Sequence, residues 1–168
     1  MPSGRVLGRG CCIHESSRVI LLDAGPLGMV TKRRGVPDAE ACRAWVAGCL
    51  RQGVRILVPA IAYYEVCREL ERMRNATGLA RVEAFCTAVP GRYIPLSDAA
   101  LRLGCRLWAQ ARKAGTPTAA PSELDCDVLL AAQALTLEVS EADCVIATTN
   151  VGHLGQFVAA ELWTQITP

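Results

Sequence analysis

The sequence has no apolar run long enough to cross a lipid bilayer. Although 51% of its 168 residues are hydrophobic, charged residues or glycine interrupt the apolar stretches, and none reaches the roughly 18 residues of a transmembrane helix. The basic segment 1–17 lacks an apolar core of signal-peptide length. We therefore expect a soluble protein with no membrane partner, in which residues 1–17 form a flexible extension and residues 18–168 form one domain.

The sequence also lacks the patterns of a zinc site and of a disulfide framework. It has only two histidines, and none of its nine cysteines forms a C-x-x-C pair. Most cysteines lie among Ala, Leu and Val, where a thiol behaves as a small hydrophobic group. We expect reduced cysteines in a cytoplasmic protein. The net charge of +2 is too small to indicate nucleic-acid binding by itself, so such binding must depend on local clusters.

Short apolar runs alternate with longer helix-like segments along the chain. Predicted strands cover residues 18–23, 54–59, 92–96 and 143–148, with a further candidate at 162–167. Predicted helices cover residues 37–53, 60–74, 81–89, 97–115 and 121–138. This alternation indicates an α/β fold, a three-layer α/β/α sandwich with a mostly parallel central sheet. Ligands bind such sheets beyond the carboxyl ends of the strands.

One carboxylate follows the first predicted strand directly. In the stretch "VILLDAGPLG", Asp23 lies at the strand end, and we expect Gly25 and Pro26 to turn the chain away from the sheet edge. An Asx turn or a helix cap explains a single aspartate there as well as ligand binding does. A haloacid-dehalogenase-like phosphatase would need a second aspartate at position 25, which is glycine.

Two further carboxylates lie in helices that follow strands. Glu65 lies about two turns into the helix after the second strand, among apolar residues, although an ordinary surface pair with Arg68 would also explain it. Asp127 lies in the most apolar predicted helix, where an ionised carboxylate needs a cation or several donors. Asp125 has a simpler explanation, because Ser122 and Asp125 match the S-x-x-[DE] capping pattern.

Convergence of Asp23, Glu65 and Asp127 would create a strongly acidic site. Without a cation the three carboxylates would repel one another, which would raise at least one pKa. Mg²⁺ or Mn²⁺ would remove that conflict, since both ions prefer oxygen ligands and retain water molecules that can attack a phosphate. We therefore expect a divalent metal site at the sheet edge.

Four motifs in one order resemble the PIN-domain family of metal-dependent ribonucleases, which includes the toxins of VapBC toxin–antitoxin pairs. They are "VILLDAGPLG", "VPAIAYYEVCREL", "DVLLAAQAL" and "VIATTNVGHLGQF". The resemblance implies a PIN domain over residues 18–168 with Asp23, Glu65 and Asp127 as catalytic, metal-binding carboxylates, and Asp125 stays a further candidate ligand. It places the Thr148 hydroxyl near the metal and its waters. The family often has a fourth acid where this chain has Asn150, so that corner is neutral here.

The resemblance also implies a function and partners. The protein would be a Mg²⁺-dependent endoribonuclease that hydrolyses RNA with a metal-activated water, and it would form a homodimer and bind a small cognate antitoxin. Four basic residues are candidates for RNA phosphate contacts, although a solvated loop explains the first three equally well: Lys32, Arg33, Arg34 and Arg68. Asn150 leaves an alternative open, namely a catalytically weak or inactive PIN-like module that binds RNA or protein.

Overall fold

The computed structural model describes residues 18–113 and 121–168, and its core is a five-stranded parallel sheet. The expected extension at residues 1–17 and the predicted helix end at Gly115 lie outside the described residues. In chain order the strands are β1 (Val19–Leu22), β2 (Arg55–Pro59), β3 (Tyr93–Ile94), β4 (Cys144–Thr148) and β5 (Ala160–Leu162). Their order in the sheet is β3-β2-β1-β4-β5, and all four neighbouring pairs are parallel.

Helices cover both faces of this sheet. They are α1 (Ala24–Val30), α2 (Pro37–Arg51), α3 (Ala60–Arg72), α4 (Ala76–Thr87), α5 (Asp98–Lys113), α6 (Pro121–Leu135) and α7 (Val151–Leu154), with a 3₁₀ turn at Glu141–Asp143. The predicted three-layer α/β/α sandwich is confirmed, and the fold is PIN-like. Within the described ranges, no helix is both long and apolar enough to cross a membrane.

Strand β1 is the centre of the core and is fully buried on both faces. Its alternate residues divide between two apolar clusters, because successive side chains of a strand point to opposite faces. Ile20 and Leu22 pack with residues of α1 and α2, whereas Val19 and Leu21 pack with residues of α6. The unbroken apolar run that predicted this strand is therefore the consequence of burial between two helical layers.

The chain leaves β1 by a helix and not by the predicted turn. Helix α1 starts at Ala24, and Asp23 caps it by accepting a hydrogen bond from the Ala24 backbone N–H at 2.6 Å. Pro26 is tolerated as the third helical residue, because the N–H groups of the first turn have no partner within the helix. The turn expected at Gly25 and Pro26 is wrong, since both residues belong to the first turn of α1.

Other element boundaries also differ from the prediction. The last strand is Ala160–Leu162, so most of the predicted strand 162–167 is not a strand. Helix α4 begins five residues earlier than predicted, at Ala76 against residue 81, because the side chain of Asn75 caps it by accepting from the Gly78 N–H at 2.9 Å. The short helix α7 was not predicted.

Gly25 is required by a close approach and not by a turn. A Cβ atom at this position would lie 2.6 Å from Thr149 Oγ1 and 2.8 Å from its Cγ2. We expect Gly25→Ala to lower the free energy of unfolding by about 1 kcal/mol or more through overpacking. Gly28→Ala is the matched control in the same helix, since its nearest neighbour is 4.0 Å away; it should be neutral or slightly stabilising.

Chemical denaturation of these two variants and of Gly25→Ala/Thr149→Ala tests this expectation. The double variant should recover most of the loss, because both clashing atoms are absent. Equal stabilities of the Gly25→Ala and Gly28→Ala proteins would contradict the close-approach explanation.

Candidate functional site

The pairing of β1 with β4 brings Asp23 and Thr148 together. The two strands are parallel neighbours with Leu22 opposite Ala147, so both end at the same edge of the sheet. The Thr148 hydroxyl is fully buried and donates to Asp23 Oδ2 at 2.6 Å, while it accepts from the Asn150 backbone N–H at 3.0 Å. The carboxylate is the nearer acceptor for the single hydroxyl proton, because the other acceptor, the Asn150 carbonyl oxygen, lies 3.3 Å away.

Asp23 is held in place through both of its oxygens. Oδ1 accepts from the Ala24 N–H, the cap of α1, and Oδ2 accepts from Thr148. Burial nevertheless raises the pKa of Asp23, because loss of solvent disfavours the charged form more than these two hydrogen bonds favour it. The capping role and a ligand role were alternatives in the sequence, and the geometry leaves room for both.

Glu65 enters the same region from α3, the helix that follows β2 directly. Burial raises its pKa, and the negative charges of Asp23 and Asp127 raise it further. A hydrogen bond with the Cys126 thiol and the charge of Arg68 act in the opposite direction. Asp23 and Asp127 therefore both lie close enough to Glu65 for their charges to disfavour its ionised form.

Helix α6 contains both Asp125 and Asp127. Asp127 is partly buried, whereas Asp125, two residues earlier, is exposed. The two residues point in different directions from the helix, as their spacing of two predicts. The capping role predicted for Ser122 concerns a side chain outside the described part of the structure.

The donor set suits a hydrated divalent ion better than an ion enclosed by protein ligands. In the parts of the chain that the structure covers, no three His, Cys, Asp or Glu side chains approach closely enough to surround a metal ion. Mg²⁺ usually keeps several waters and is bound through one or two carboxylates. A cation beside Asp23 and Glu65 would also offset the burial and repulsion that raise their pKa values.

Arg68 is a predicted basic residue that pairs with one of the carboxylates. Its Nη2 atom lies 3.5 Å from Glu65 Oε1, and its guanidinium carbon lies 5.4 Å from the centre of the exposed Tyr64 ring. With 45% of its side chain exposed, it pairs weakly with Glu65 and stays accessible to a substrate.

The basic loop of residues 32–34 is exposed, and two arginine side chains hold the adjoining backbone by hydrogen bonds. Arg81 donates to the Thr31 carbonyl oxygen at 2.7 Å, and Arg43 donates to that of Lys32 at 2.9 Å. Both arginines satisfy carbonyl groups beyond the end of α1, which otherwise lack helical partners. The loop is thus a positioned basic surface, and sequence reasoning missed both supporting arginines because they are distant in the chain.

A cleft of about 590 Å³ opens beside Glu65, between α1, α3 and α4. Its lining includes the apolar side chains of Met29, Val66, Leu70 and Met73. Lys32, Arg33 and Arg81 add positive charge, while Glu65 and Glu69 add negative charge. This surface was not predicted from the sequence, because its walls come from three separate helices.

Asn150 serves as a cap. Its side-chain oxygen accepts a hydrogen bond from the Gly152 N–H at 3.2 Å and so caps the start of α7. An aspartate at position 150 could make the same hydrogen bond. Asparagine therefore leaves this part of the candidate site without a negative charge and does not alter the local fold.

Comparison with solved structures supports this fold across most of the chain. FitAcB from Neisseria gonorrhoeae matches with a TM-score of 0.62 and 18% identity over 88% of this chain and 99% of that one. VapBC-1 from nontypeable Haemophilus influenzae matches with a TM-score of 0.62 and 17% identity over 88% and 99%. The structure of VapBC2 from Rickettsia felis bound to a DNA fragment from their promoter matches with a TM-score of 0.60 and 11% identity, over 86% of this chain and 98% of that one.

At these identities the likeness establishes the fold alone. No protein-family model matches the sequence, and no curated protein is similar to it in sequence. The chemistry of the site therefore has to be inferred from the side chains of this molecule.

The raised pKa values predict how stability changes with pH. A carboxyl group whose pKa is higher in the folded state holds its proton longer there, so stability falls as the pH rises from about 4 through the folded-state pKa. We expect Asp23→Asn to unfold at a higher temperature than the wild type at pH 7, by a few degrees if about 1 kcal/mol is recovered. The difference should shrink towards pH 4.

Thermal unfolding without divalent ions between pH 4 and pH 8 checks this. Asp125→Asn is the control, since this exposed carboxylate should change stability little at any pH. A lower melting temperature of Asp23→Asn at pH 7 would show that the hydrogen bonds of the carboxylate outweigh its burial.

Proposed function

We propose that this protein is a metal-dependent ribonuclease of the PIN type that acts as the toxin of a VapBC-like toxin–antitoxin pair. The observation that carries the proposal is the position of Glu65 at the carboxyl edge of a parallel sheet, near enough to Asp23 and Asp127 for both negative charges to raise its pKa. A fold gains no stability from such an arrangement, so a ligand of opposite charge is the simplest reason for it.

Asp23, Glu65 and Asp127 would hold Mg²⁺ or Mn²⁺. When bound, the ion would supply Lewis-acid stabilisation of a phosphodiester and lower the pKa of a water molecule. Thr148 keeps Asp23 in one orientation through its buried hydroxyl. Arg68 would offer a positive charge to an RNA phosphate next to Glu65. The basic residues 32–34 would offer further contacts to phosphates along the RNA chain.

Cleavage of RNA tests the proposal directly. The wild-type protein should cleave an RNA substrate in Mg²⁺, and cleavage should stop when the metal is chelated. Asp23→Ala and Asp127→Ala should each lower the rate by about 10²-fold or more, because each removes a negatively charged candidate ligand. Asp125→Ala is the matched control on the same helix and should retain most of the activity.

Three outcomes separate the proposal from its alternative. Activity that survives both Asp23→Ala and Asp127→Ala would disprove the site. RNA binding without cleavage by the wild type would favour the weak or inactive module that the neutral Asn150 allows, and in that case Asn150→Asp should raise activity. If Asp125→Ala loses activity and Asp127→Ala does not, Asp125 would replace Asp127 as the candidate ligand on α6.

The cleft beside Glu65 is our candidate site for the antitoxin. The solved structures of similar fold include VapBC and FitAcB complexes, and this cleft combines apolar walls with the carboxylates of Glu65 and Glu69. We infer that a short antitoxin segment inserts apolar side chains there and directs a basic or aromatic residue towards Glu65. The homodimer implied by the family resemblance stays a prediction.

Substitutions in the cleft should break this complex. Gly28→Leu would fill open space, and Met73→Glu would place a charge in the apolar wall, where the methionine is 55% exposed. Each should weaken binding of the product of the adjacent antitoxin gene by about tenfold or more while leaving folding intact. The matched control is Leu101→Glu on α5, a 43% exposed leucine outside the cleft.

Titration calorimetry with the purified partner measures the effect. Unchanged binding by both cleft variants, or equal weakening by Leu101→Glu, would place the antitoxin elsewhere.

A further inference from the structure

Gln133 is a buried amide in an otherwise apolar part of α6. Its side chain is 2% exposed, and it follows Asp127 on the same helix after six residues, a rise of about 9 Å. The Oε1 atom accepts from the Ile61 backbone N–H at 3.1 Å. The Nε2 atom donates to the carbonyl oxygens of Ile94 at 3.0 Å and Pro95 at 3.3 Å.

These contacts satisfy groups that the local chain leaves unpaired. Ile61 is the second residue of α3, and Pro59 at the N-cap makes no side-chain cap. The Ile61 N–H is buried, so without Gln133 it would lack a partner at a substantial cost. Gln133 therefore acts as the missing cap of α3, supplied from another helix, and it also fixes the chain at the end of β3.

The two helices joined by this amide carry two of the three carboxylates. Glu65 lies one turn after Ile61 on α3, and Asp127 lies less than two turns before Gln133 on α6. Because each helix is rigid over such a distance, the Gln133–Ile61 hydrogen bond limits how far the helices can slide past each other. That displacement would change the separation of Glu65 and Asp127.

We propose that Gln133 is a positioning residue that sets the spacing of Glu65 and Asp127 and thereby the affinity of the site for a divalent cation. The inference rests on the proposed function, since it assumes that these carboxylates hold a metal. No other side chain in the described parts of the chain bonds to the Ile61 N–H, so the amide has no substitute there.

Binding of Mn²⁺ in the absence of RNA tests the proposal. Gln133→Met keeps the approximate length of the side chain but removes all three hydrogen bonds. We expect it to bind Mn²⁺ about tenfold more weakly than the wild type, the lower end of the usual effect of residues that orient metal ligands. Gln133→Glu keeps an acceptor for the Ile61 N–H, so it should bind Mn²⁺ more tightly than Gln133→Met.

Two controls separate positioning from a general loss of stability. Thr136→Val removes a hydroxyl just after the end of α6 that bonds to two carbonyl oxygens of that helix, those of Ala132 and Gln133. Val82→Ala opens a cavity at a fully buried position of α4 and should lower the melting temperature. Both should bind Mn²⁺ as the wild type does, measured by calorimetry and by electron paramagnetic resonance below the melting temperature.

Each outcome has one meaning. Weaker binding by Gln133→Met with normal binding by both controls supports the proposal, and intermediate binding by Gln133→Glu supports the Ile61 contact as its route. Wild-type affinity in Gln133→Met, or equal weakening in Val82→Ala, overturns it while leaving the proposed function intact. If Gln133→Met does not fold, Gln133→Glu and Thr136→Val decide by the same comparison. If the wild-type protein binds no Mn²⁺, and so does not differ from Asp23→Asn in this measurement, both proposals are overturned.

Discussion

The hydrogen bond from Thr148 to Asp23 depends on the parallel pairing of β1 and β4, and the rest of the site is built around it. Parallel neighbours end at the same sheet edge, so a residue just after β1 meets the last residue of β4 although they are 125 positions apart. The buried hydroxyl has one proton, and the Asn150 N–H occupies an acceptor site of its oxygen. The nearer acceptor of that proton is Asp23 Oδ2, so rotation of the Asp23 carboxylate would break this hydrogen bond.

Around this fixed carboxylate the fold places charges that oppose folding. Burial of Asp23 and Glu65 and the repulsion between them disfavour the ionised state that neutral pH would impose on exposed carboxylates. The arrangement persists because other contacts determine the backbone: β1 is buried on both faces, Asp23 caps α1, and Gln133 joins α3 to α6. Stability at the site is supplied by these surroundings and not by the charges of the carboxylates.

Much of the fold could be predicted because its signals are local. The apolar run before Asp23 needs burial on two faces, and only a central strand between helical layers supplies it. The carboxylates could be named for a similar reason: each follows a strand or lies in an apolar helix where a solvated surface role fits poorly. The error at Gly25 and Pro26 has a physical cause, since glycine and proline suit a turn and the first turn of a helix equally.

The sequence by itself therefore determined the layers and the parallel sheet, because periodicity and composition report burial, and it named three acidic residues as candidates for the site. Only the tertiary structure decided that Thr149 requires a glycine at position 25, that Arg43 and Arg81 support the basic loop, and that Gln133 caps α3 from another helix. It also decided that Glu65 borders a cleft and contacts Cys126. These are pairings between residues far apart in the chain, and no local pattern records which distant atoms will meet once the layers pack.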